Sequence, residues 1–68
     1  MRDPQRLDHS YKEIAIIHKE YLPDMRIGQF MMNFLSWYVS KKGMDPFYKE
    51  DDKITEDILT FAKDITGH

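Results

Sequence analysis

Three stretches of the chain alternate apolar and polar positions with a helical period, and none alternates with the period of a strand. In the first, Leu7, Tyr11, Ile14, His18 and Tyr21 recur at spacings of 4, 3, 4 and 3, with Ile17 and Leu22 widening that face and Ile16 pointing away. Asp3-Pro4 opens it, since Asp accepts hydrogen bonds from unpaired amides and Pro loses no donor at a first helical position. Pro23 disfavours helical geometry at Leu22, so the first helix is expected over about 4–21.

The second helix is expected over about 25–42, with Asp24 placed to cap it. Ile27 to Ser40 is a run of 14 residues without a charge. That run is too short and too polar for a membrane span, which needs about 20 predominantly apolar residues. Its apolar side chains cover about 240° of the circumference, against little over 100° for an ordinary surface helix. The remainder is one strip of Arg26, Gln29, Asn33, Ser36 and Ser40. Lys41 and Lys42 suit the negative end of the helix dipole, and Gly43 supplies a left-handed closing residue.

Residues 44–53 form a connection with enough apolar surface, in Phe47 and Tyr48, to pin itself down. Asp45-Pro46 can open one helical turn at 45–48. The third helix is expected over about 53–65, capped by Asp52, with a stripe of Ile54, Ile58, Phe61 and Ile65 flanked by Leu59 and Ala62. The fold class is therefore all-α: a single small three-helix domain with the apolar second helix at its centre.

Composition narrows the function classes. There is no cysteine, which removes disulfides, thiolate metal sites and cysteine nucleophiles. The opening Met-Arg-Asp-Pro-Gln-Arg has no apolar segment behind it, so a cytoplasmic location is expected. His9, His18 and His68 form no ligand pair and no catalytic dyad, and the Glu50-Asp51-Asp52 run lacks the spaced ligands of a calcium loop. No enzyme activity, cofactor or metal is expected.

A three-helix domain is also a frame for nucleic-acid readers. Residues 1–43 carry seven basic and five acidic side chains, net +2, and residues 44–68 three and seven, net −4. The third helix, the natural recognition element, thus opens in carboxylates that repel phosphate. A small nucleic-acid-associated regulator is the alternative to the preferred reading, a protein-interaction module.

Two features support that preference. The 240° arc exceeds what one neighbouring helix covers, so a part around Met25, Met32 and Val39, or around Trp37, is a candidate homodimer or partner surface. Gly28 lies on that arc and leaves room for an approaching backbone. The polar strip carries one charge and two amides where a merely solvated face is usually rich in Lys and Glu. Amides and an Arg fork suit recognition of backbone groups or carboxylates. Arg26 is expected either to bind a partner or to clamp an acidic residue of the 45–57 region. Candidate contact residues are Arg26, Gln29, Asn33, Met32, Trp37 and Tyr48.

The strings Pro-Asp-Met-Arg-Ile-Gly-Gln at 23–29 and Asp-Pro-Phe-Tyr-Lys-Glu-Asp-Asp at 45–52, with Asp-Pro-x-Arg at 3–6, resemble a group of short bacterial and phage proteins of uncharacterised activity. The resemblance covers about residues 3–65 and implies that Arg26, Gly28, Gln29, Asp45, Pro46, Phe47, Tyr48, Glu50 and Asp51 form one site. That site is either a binding surface or a structural lock built on Gly28, Asp45, Pro46, Phe47, Glu50 and Asp51. An accessory or regulatory role in a bacterium or phage follows as an expectation.

Overall fold

The Asp3 carboxylate accepts from the Gln5 amide, and the amides of Arg6, Leu7 and Asp8 close turns onto the carbonyls of Asp3, Pro4 and Gln5. The computed structural model describes residues 3–44 and 49–67. Three helices follow in order, α1 (Arg6–Tyr21), α2 (Ile27–Lys42) and α3 (Asp51–Thr66), and the described residues contain no strand. No helix among them is long and apolar enough to cross a membrane.

The ends obey local chemistry, with shifts from the expected bounds. Gly43 and Gly67 close α2 and α3 at φ 71° and 79°, the left-handed conformation that glycine adopts without a Cβ penalty. The Gly43 amide donates to the Val39 carbonyl. The capping residues differ from expectation. Neither Asp24 nor Asp52 precedes its helix directly. Arg26 and Glu50 occupy those positions in extended geometry, without a side-chain cap. Helix α3 therefore starts two residues earlier than 53, because Asp51 and Asp52 themselves fill its first turn at the positive end of the dipole. The helical turn expected at 45–48 lies outside the described residues.

The core is built from Ile17 of α1, Phe30, Phe34 and Tyr38 of α2, and Ile58, Phe61 and Ala62 of α3. Phe61 is its centre: its ring meets Phe30, Phe34 and Trp37 edge-on at 5.8, 5.6 and 5.7 Å. Ile14, Tyr21, Leu22, Met25, Trp37, Ile54 and Leu59 pack around this cluster partly buried.

The expected central role of the second helix is corrected. Helix α3 packs on both others, whereas the α1 and α2 backbones come close at few points. Its short Ala62, wholly buried, lets a neighbour approach. Helix α2 instead presents one aromatic edge to the core, Phe30-Phe34-Tyr38 at four-residue spacing with Trp37 partly buried beside it, and leaves Ile27, Met31, Met32, Leu35 and Val39 exposed. Two other stripe positions move with this arrangement: Tyr11 is 63% exposed and Ile65 45%.

Polar contacts fix the helices at three corners. The Arg6 Nε donates to Asp51 Oδ2 at 2.7 Å, joining the starts of α1 and α3 across 45 residues. His18 Nε2 donates to the Met25 carbonyl while its ring stacks on Phe30 at 4.4 Å, which holds the α1–α2 turn against the core. The Trp37 Nε1 donates to Asp64 Oδ2 at 2.7 Å, tying α2 to the end of α3.

Arg6→Ala is expected to lower stability by about 1 kcal/mol, the scale of a charge-assisted contact that water partly reaches. The loss should shrink in high salt. Urea titrations at two ionic strengths test this, and a salt-independent loss would mean that the arginine acts through its apolar stem.

Candidate functional site

Viewed from its own sequence, α2 has three longitudinal rows. Phe30, Phe34 and Tyr38 face the core. Ile27, Met31, Leu35 and Val39, also at four-residue spacing, are 67%, 51%, 38% and 50% exposed, and Met32 beside them is 65% exposed. Gln29, Asn33, Ser36 and Ser40 make the third row, exposed throughout. The exposed apolar row is about 18 Å long at the helical rise of 1.5 Å per residue. Helix α2 thus shows water an apolar side and an amide-bearing side next to each other.

The structure separates the expected contact residues. Arg26, Gln29, Asn33 and Met32 lie on the surface, and the Asn33 amide reaches only the Met25 sulfur, at 3.7 Å. Met25 itself packs partly against the core. Trp37 instead packs partly buried against the core: its ring stacks on Phe34 at 6.2 Å, meets Phe61, and its N–H is taken by Asp64. Tyr48, like Asp45, Pro46 and Phe47, lies outside the described residues.

The clamp assigned to Arg26 is made by a different arginine. Among the described residues Arg26 forms no ion pair, and Asp51 is held by Arg6. Glu50 is the N-terminal boundary residue of α3. At Gly28 nothing within the described structure comes within 4 Å of the place a Cβ would occupy, so no neighbouring element requires a glycine there. Its open flank adjoins Met31, Met32 and Leu35.

Sequence reasoning placed Met32 and Val39 on an uncovered arc but missed the parts played by Ile27 and Met31. The four-residue recurrence from Ile27 to Val39 was the signal available. The pairings Arg6–Asp51 and Trp37–Asp64 had no local signal, since nothing near either acid in the chain marks its partner.

Among the described residues, no group of three or more His, Asp or Glu side chains is arranged to hold a metal ion. His9 is exposed and His18 is engaged with Met25 and Phe30. Two shallow hollows flank α2. One, of about 420 Å³, lies beside its start and is lined by His18, Lys19, Asp24, Arg26 and Ile27 among others. The second, of about 510 Å³, lies beside its end between Trp37, Lys41, Lys42, Thr60, Lys63 and Asp64. Neither is enclosed. No protein-family model matches the chain, and no curated protein or solved structure matches it.

Proposed function

We propose that this chain is a small protein-interaction module, non-catalytic, whose contact surface is the outward side of α2. The observation that carries this reading is the row Ile27, Met31, Leu35 and Val39 with Met32, exposed to water while seven of the described residues are buried in the core. Those five side chains present on the order of 500 Å² to water, toward the upper end of the largest patch on an ordinary monomer. Methionine and branched aliphatic side chains adapt to a partner helix, and the adjacent amides of Gln29 and Asn33 with Arg26, which has no ion pair among the described residues, set orientation through directed hydrogen bonds. A role as accessory or regulatory protein of a bacterium or phage accords with the motifs at 23–29 and 45–52.

The nucleic-acid alternative finds less support. Helix α3 opens with Asp51 and Asp52 in its first turn, and its apolar side is consumed by the core.

Affinity capture from host lysate tests the reading, using the tagged chain beside a Met31→Asp/Leu35→Asp variant of unchanged helicity. A stoichiometric protein partner retained by the parent and lost by the variant is the expected result. A partner held equally by both, or an eluate rich in nucleic acid by its 260/280 nm absorbance, would overturn it.

A further inference from the structure

We infer that the occupant of the α2 face is an acidic amphipathic helix, with apolar residues at three- and four-residue spacing and carboxylates near both of its ends. The inference rests on the interaction-module reading and adds the chemistry of the partner. Its carrier is a charge asymmetry: the chain as a whole is net −2, yet α2 contains no carboxylate from Ile27 to Lys42.

The apolar row is flanked at both ends by positive charge. Beside its start, Arg26 heads the adjoining polar strip without an ion pair among the described residues, and the hollow next to Ile27 sets Lys19 and Arg26 against the single carboxylate of Asp24. At its end, Lys42 lies three residues past Val39 on the same side of the helix. The hollow there holds Lys41, Lys42 and Lys63 around Asp64, whose charge is already shared between the Trp37 N–H at 2.7 Å and Lys41 at 3.8 Å. Arg26 and Lys42 are about 24 Å apart along the axis, which sets a partner segment of roughly 16 residues. Gly28 gives that segment's backbone a close approach at the first turn, since no described atom lies over it.

The same charges disfavour the other occupants. Two copies joined through α2 would set Arg26 against Lys42 if antiparallel and like on like if parallel, and among the described residues the hollows at the two ends offer one carboxylate each, Asp24 and Asp64, against two and three cations. A helix lying on an anionic membrane usually carries Lys and Arg throughout its polar face, whereas here that face is Gln29, Asn33, Ser36 and Ser40.

The test uses two fluorescent designed helices of about five turns, identical in their leucine spacing. One carries glutamates in its first and last turns, the other lysines. The glutamate peptide is expected to bind the intact chain and the lysine peptide not. Arg26→Glu/Lys42→Glu should weaken the glutamate peptide by about tenfold or more and admit the lysine peptide, with helicity unchanged by circular dichroism. Equal binding of both peptides, abolished by Met31→Asp/Leu35→Asp, would overturn the acidic partner while leaving the interaction face standing. Binding of neither, or binding indifferent to the face variant, would overturn both. Self-association in light scattering, or uptake by vesicles containing an anionic phospholipid, lost in that variant would reassign the face to a second copy or to lipid.

Discussion

Phe61→Ala is expected to abolish cooperative unfolding at room temperature. The side chain is 1% exposed and its ring is the one element of α3 that meets Phe30, Phe34 and Trp37 together. Truncating a buried phenylalanine costs about 3–5 kcal/mol in lost transfer and residual cavity, and each aromatic pair adds about 0.5–1.5 kcal/mol. A core in a chain of this size supplies only about 3–5 kcal/mol of net stability. The loss therefore equals or exceeds what the domain has. Far-UV circular dichroism against temperature, with the fluorescence of Trp37, the single tryptophan, reads the outcome from both backbone and core. A cooperative transition within about 1 kcal/mol of the parent would show that α2 is held by contacts other than this junction. Phe61→Leu, which keeps most of the volume, should cost about 1–2 kcal/mol and keep the transition.

Tyr38→Phe is expected to act in the opposite direction, raising stability by about 1–2 kcal/mol. Tyr38 is wholly buried and its ring meets Phe34 edge-on at 5.8 Å, yet its hydroxyl has no hydrogen-bond partner among the described residues. A buried hydroxyl left unpaired forfeits its hydration without return, at about 1–3 kcal/mol. Removing one oxygen keeps the ring, its volume and its packing. For a domain of this size the gain corresponds to a rise in Tm of about 4–8 °C per kcal/mol. Urea unfolding should show a higher midpoint at unchanged slope. A lower midpoint would mean that the hydroxyl is bonded in solution.

These two residues also mark the limit of sequence reading. Both stood on expected apolar faces, Phe61 in the α3 stripe and Tyr38 in the α2 arc. What pattern alone left open was their rank. Periodicity places a side chain on a face of its own helix, but the depth of that face depends on the helix laid over it. The α1 stripe illustrates the point. Leu7 and Tyr11 share it with Ile14 and Tyr21, but Tyr11 is largely exposed and Leu7 37% exposed while Ile14 and Tyr21 pack against the core. The same limit applied to the candidate site. The second helix was legible as over-apolar, with a polar strip and a glycine on its arc, because those are local facts of spacing. That Met32 lies outside and Trp37 packs partly buried against the core was not, since Trp37 is drawn inward by Asp64 and Phe61, residues of another helix.

By itself the sequence determined the number of helices, their approximate spans and their closing glycines, for these follow from interactions within a few residues: the 3.6-residue period, Pro23 as a breaker, and Gly43 and Gly67 as left-handed caps. It determined as well that α2 carries more apolar surface than a peripheral helix needs. Only the tertiary structure decided that α3 is the packing hub, that Arg6 rather than Arg26 holds the acidic start of α3, and that the row from Ile27 to Val39 is what remains uncovered. Burial and ion pairing across tens of residues are properties of how helices are laid on one another, and no local pattern encodes which of several similar faces is chosen.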